Sequence, residues 1–129
     1  MDYNKLKEEA FRYNDMLSVE MSDDINEVVM RGNELMVIIN RTGGMLADAK
    51  IILDQAMHQE AISLIKEIAG NSFSAKVQNA LVDSIAKNER WLVNYVEQLN
   101  KTAKYQIEWC RSVLSKQKEE MKYISNFQK

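Results

Sequence analysis

A chain of 129 residues has room for a single domain, which argues against an enzyme built as two lobes around a cleft. With 46% hydrophobic and 28% charged residues, no proline and four glycines, the composition is globular but lacks most of the punctuation a sheet protein uses. The net charge of −2 argues against a general nucleic-acid binder, whose affinity comes mainly from phosphate neutralisation, and it divides unevenly: −6 over residues 1–70 and +4 over 71–129, as suits a chain folded back on itself.

The first segment, about residues 3 to 17, places Leu6, Ala10, Tyr13 and Leu17 at helical spacing. It ends in the polar run Ser18 to Asp24, where Ser22 and Asp23 are candidate caps. The second, about 24 to 69, repeats apolar or small residues in alternating steps of three and four, through Val28, Gly32, Leu35, Ile39, Thr42 and on to Ala56, which is a heptad seam. Gly70-Asn71-Ser72 reads as a C-terminal glycine stop. Ser72 or Ser74 then caps a third helix predicted to run unbroken from about 74 to 123, with a seam through Leu92, Tyr95, Leu99, Thr102, Gln106 and Trp109.

The two seams match if the chain reverses near Ser72. Leu53 then faces Leu92, Ala49 faces Tyr95, Leu46 faces Leu99, Thr42 faces Thr102 and Gly32 faces Val113, small against large as interdigitated packing wants. The expected fold is all-α: a long antiparallel helical hairpin plus a short N-terminal helix, in one domain spanning 1–129. Each long helix would extend roughly 65–75 Å, and two such rods cannot enclose a core. Ile38, Met45 and Ile52 on one helix, with Ala103 and Leu114 on the other, widen the apolar stripe beyond what one neighbour covers. Phe11 and Tyr13 of the first helix cover only a fraction of it. A homo-oligomeric helical bundle is therefore expected, with Gly43-Gly44 marking a close helix crossing.

Catalytic, metal and cofactor sites are not expected, and the chain does not read as an enzyme. His58 is the single histidine and has no evident nucleophile beside it. Helical di-iron proteins use Glu-x-x-His pairs, which are lacking, and the acids do not recur in the paired spacing of helical nucleotide pyrophosphohydrolases. Cys110 lies next to Arg111, which favours thiolate, but a lone cysteine on a long helix reads as structural. A cysteine without a disulfide partner suits a reducing, cytoplasmic setting, and Asp2, Lys5, Lys7, Glu8 and Glu9 break up any leader pattern. The aliphatic stretches fall far short of the ~20 residues that cross a bilayer, so no membrane partner is expected.

One constellation carries chemistry. Asn40-Arg41-Thr42 on the second helix and Asn100-Lys101-Thr102 on the third are alike, and each is followed six residues after its threonine by an acid, Asp48 or Glu108. The pairing puts them at one level, with Gln106, Tyr105 and Trp109 within about two helical turns. Cations, amides and aromatic faces together suit a planar anion such as a nucleotide, through charge-assisted hydrogen bonds to phosphate and stacking on the base. The competing reading is a buried polar layer that fixes register and oligomer state.

Arg41-Thr42-Gly43-Gly44-Met45-Leu46-Ala47-Asp48-Ala49-Lys50, with Asn100-Lys101-Thr102, Trp109-Cys110-Arg111-Ser112-Val113 and Lys118-Glu119-Glu120-Met121, resembles a group of small uncharacterised all-helical proteins of tailed phages and mobile elements. The resemblance spans about 25 to 122 and carries no catalytic motif. It implies action by binding, either sequestering a host defence factor or a signalling nucleotide or assisting DNA replication and recombination; the expectation drawn from it together with the polar layer is that, in the cytoplasm of a host cell, the protein sequesters a nucleotide immune signal and so counters host defence. The alternatives are a protein-interaction or DNA-associated accessory factor in phage replication or recombination, for which the mildly basic Lys116–Lys129 tail is the argument for a nucleic-acid partner, or a structural virion component.

Overall fold

The computed structural model describes residues 2–127, the side chain of Phe127 apart, and over that range the chain is all-helical with no strand. Four helices follow in order: α1 (Tyr3–Leu17), α2 (Ile25–Gly70), α3 (Ala75–Asp83) and α4 (Lys87–Phe127). The first three open on residues with extended backbone whose side chains take up a free amide: Asp2 accepts from the Asn4 amide, Asp24 from Glu27 and Ser74 from Val77. The cap of α2 thus falls one residue beyond the candidates Ser22 and Asp23, while the Ser22 hydroxyl supports it by accepting from the Asp24 amide at 3.1 Å.

Two punctuation marks differ from the sequence expectation. At the end of α2 no glycine takes a positive φ. The stop is made by Asn71, whose backbone turns extended while its side-chain amide donates back to the Glu67 carbonyl at 2.9 Å. The third helix is not continuous either. It breaks at 84–86, where the Ser84 hydroxyl donates to the Leu81 carbonyl at 2.7 Å and Ala86 adopts φ 52, the left-handed region that disfavours a Cβ by about 1–2 kcal/mol. The Ala86 amide leaves the helical ladder and donates to Glu60 Oε2 on α2 at 2.5 Å. Without that carboxylate, a buried N–H would have no acceptor, because Ala86 is almost fully enclosed.

α2 and α4 form the dominant packing pair, and the pairing steps up α4 as it steps down α2: Glu60 with Ala86, Thr42 with Asn100, Arg31 with Gln106, Asp23 with Gln117. The core of α2 is Val28, Leu35, Ile38, Thr42, Met45 and Ala49. On α4 it is Leu92, Val96, Leu99, Ala103 and Cys110, with Val93 beside them. These stripes lie one residue off the expected seams at Ile38, Met45, Val96, Ala103 and Cys110. The physical reason is α1, which buries Leu6, Ala10 and Leu17 against both long helices and so turns the buried centre toward itself. Phe11, expected to help cover the stripe, stays 41% exposed, edge-on to a stacked Trp91–Tyr95 pair with ring centroids 4.9 Å apart.

Glu60→Ala is expected to destabilise the protein by about 1 kcal/mol, the scale of one charge-assisted hydrogen bond at a partly wet site. Hydrogen exchange of the Ala86 amide and its neighbours checks it, with protection lost there first.

Candidate functional site

Thr42 is the one buried polar residue among those described, at 0% exposure. Its hydroxyl donates to the Ile38 carbonyl at 2.7 Å, one turn back on its own helix, which leaves the oxygen free to accept. Asn100 supplies the donor from α4: its Nδ2 reaches Thr42 Oγ1 at 2.9 Å and the Ile39 carbonyl at 3.1 Å. The polar level foreseen in the sequence is therefore built as a Thr42–Asn100 bond across the helices, rather than with Thr42 facing Thr102. Thr102 sits half-buried beside it.

The cations of the level point elsewhere. Arg41 leaves the α2–α4 contact and grips Glu9 of α1 with two nitrogens, Nε at 2.5 Å and Nη2 at 2.8 Å. That bond holds the Glu9 carboxyl below its usual range against the opposing effect of burial, with Tyr13 adding a second hydrogen bond. Burial, then the same carboxylate, raises the Tyr13 phenol. Lys101 pairs with Glu97 on its own helix at 3.4 Å. Asp48 is half-buried, and its charge acts in the same sense as Glu9 in raising the Arg41 pKa. Trp109 is 39% exposed.

Asn40 and Tyr105 do come together, in an open groove of about 440 Å³ between α2 and α4. Met36, Ile39 and Ile107 give it an apolar lining, while Lys104 and Arg111 bring positive charge. Arg111 is tied at 2.7 Å to Glu108, which shares the groove. Tyr105 stands 73% exposed at its edge. Lys104 and Arg111 were not foreseen, although the sequence carries a signal for them: Lys101, Lys104, Glu108 and Arg111 step by three and four along one face of a helix.

Arg31 was also missed. Its Nη2 donates to the Leu17 and Val19 carbonyls at the end of α1 and to Gln106 Oε1 at 2.7 Å, while Gln106 Nε2 donates to Leu17 at 2.9 Å. A cation and an amide thus satisfy the carbonyl end of α1, where the helix dipole is negative. Cys110 lies within reach of this charge, but burial dominates and pushes the thiol up, opposite to activation as a thiolate. Among the described residues no group of His, Cys, Asp or Glu is placed to hold a metal ion, and no helix is long and apolar enough to cross a membrane. Comparison of the chain with protein-family models, curated proteins and solved structures finds no match.

Two outcomes are expected from these contacts. Glu9→Gln should lower stability at neutral pH by about 1 kcal/mol, since the half-exposed Arg41 side screens the pair. Because the folded pKa of Glu9 is depressed, its contribution is complete above the ordinary carboxylate range and is lost as pH falls through the folded value. Urea unfolding of both proteins at neutral and acid pH should show the difference shrink to nothing in acid. Thr42→Val alone should cost about 1 kcal/mol by removing an acceptor from Asn100, whereas Thr42→Val with Asn100→Leu should recover wild-type stability, because no polar group is then stranded.

Proposed function

We propose that this chain is a non-enzymatic helical binding protein of the phage type, which sequesters a small planar anion of the nucleotide class in the groove between α2 and α4. The observation that carries the reading is the convergence there of Lys104, Arg111, Asn40 and the exposed ring of Tyr105 over an apolar lining. Each has a distinct use. Lys104 meets phosphate oxygens, Arg111 adds the guanidinium nitrogens that Glu108 does not take, the Asn40 amide offers both a donor and an acceptor to a base edge, and the tyrosine gives a stacking face. Thr42 and Asn100 serve from behind by fixing the register that sets Asn40 against Tyr105. Arg41 and Lys101 stay with their carboxylates and act on the field rather than on the ligand. In a host cell, removal of a cyclic or ADP-ribose-type signal by such a site would blunt a defence response.

Calorimetric titration of the full chain with a panel of cyclic, linear and ADP-ribose-type nucleotides tests this. One member should bind saturably, and Lys104→Ala or Tyr105→Ala should each weaken it about ten-fold, the effect of losing one charge-assisted bond or one stacking face. Thr42→Val should change it less than either. A flat response across the panel would remove the reading.

A further inference from the structure

α2 has a second heptad seam, on the side turned away from the core. Val29, Met36 and Gly43 follow one another there in steps of seven, and Gly44, Ala47 and Ile51 in steps of three and four, and all are exposed. Asn33, Asn40, Asp54 and His58 fill the intervening places and are exposed as well. The stripe has the spacing of a helix-helix contact, with apolar and small residues alternating with polar ones.

The two glycines say where the contact is closest. Glycine inside a helix is disfavoured relative to alanine, so two in succession at the middle of a 46-residue helix call for a reason. Nothing among the described residues supplies one. A methyl group added at Gly43 would meet no atom within 4 Å, and one at Gly44 would meet only the flexible end of Arg41 at 4.0 Å. Neither takes a positive φ. The space they leave is open outward, on the exposed seam.

The positions of the seam, though not their residues, are spaced symmetrically about that pair. Counting outward, Gly43 mirrors Gly44, Asn40 mirrors Ala47, Met36 mirrors Ile51, Asn33 mirrors Asp54 and Val29 mirrors His58. We infer that the outward face of α2 is the interface with a second copy of this chain, the two α2 helices crossing antiparallel at Gly43-Gly44. A two-fold axis there sets Met36 of one copy on Ile51 of the second and the Asn33 amide against the Asp54 carboxylate. Charge chooses the direction: a parallel pair would set Asp54 against its own like, whereas the antiparallel register sets it against Asn33. The strip from Val29 to His58 is roughly 44 Å long and about 10 Å wide, which buries on the order of 900 Å² over both copies. That is below the standard size of a specific interface and in the range of weak, transient encounters, so the dimer is a weak and reversible one.

Sedimentation velocity of the full chain from about 1 to about 300 µM should show a reversible monomer–dimer equilibrium. Gly44→Leu should weaken it at least about ten-fold, as should Met36→Glu or Ile51→Lys alone, while Met36→Glu combined with Ile51→Lys restores it by placing opposite charges face to face at both ends. Circular dichroism of each variant confirms that the surface changes leave the helices formed. A chain monomeric throughout the range, a dimer indifferent to Gly44→Leu, or a double variant no better than its single parents would each overturn the inference. Gly44 and Ile51 lie outside the groove, and Lys104 and Tyr105 lie on α4, off this seam, so Gly44→Leu or Ile51→Lys reads dimerisation while Lys104→Ala or Tyr105→Ala reads ligand binding; Met36 lines both.

Discussion

The structure depends on one act of burial: the stripe Val28 to Ala49 of α2 is too wide for a single neighbour and is closed from two sides at once, by α4 and by α1. An amphipathic helix needs about 100° of its surface covered, and one straight neighbour covers less. α1 makes up the difference and fixes where the centre of the stripe lies. It is held at its middle and at its C-terminal end by cations of α2, through Arg41 on Glu9 and Arg31 on the terminal carbonyls. A short helix of 15 residues would have little stability in water by itself, so these contacts and the burial of Leu6, Ala10 and Leu17 are what keep it formed.

Where α1 ends, the character of the molecule changes. Beyond Ala49 no residue of α2 is fully buried, and α2 continues with only α3 and the start of α4 for company. The break at Ser84 to Ala86 lies in this two-layer region, and the Glu60 carboxylate secures it. Polar cross-bracing there takes the place of hydrophobic depth. The same substitution of roles occurs at Thr42, where a hydroxyl and an amide interrupt an aliphatic core and bind one helix to the other at a single register.

Heptad periodicity made the long helices legible because it reports which residues can share one face, and that much needs no knowledge of the neighbour. The rotation of the stripe to Ile38, Met45, Val96 and Ala103 was not legible, since it depends on the position of α1, a tertiary fact. The break in the third helix was hidden for a different reason: Ser84-Ile85-Ala86 has neither glycine nor proline, and a strained alanine is tolerated only because a carboxylate 26 positions away accepts its amide. Of the polar constellation, the sequence correctly brought Thr42 to the level of Asn100 and set Asn40 near Tyr105. It could not show that Arg41 turns to α1, because Glu9 is distant in the chain and the pairing of long side chains follows the packing rather than directing it.

α2 therefore carries three surfaces: a core stripe, a flank engaged by α1, and an outward seam. The groove at Asn40 opens on the border of the third, since Met36 and Asn40 belong to both the groove and the seam. In the antiparallel dimer, Ile51 and Ala47 of the second copy stand against these same two residues, so the groove's wall differs between monomer and dimer. Any molecule held at Lys104 and Tyr105 must then distinguish the two states, and by reciprocity a ligand that favours the dimer is bound more tightly by it to the same factor. Gly43 and Asn40 are three residues apart on one turn of α2, so if the proposed dimer and the proposed ligand both form, each meets the same stretch of helix.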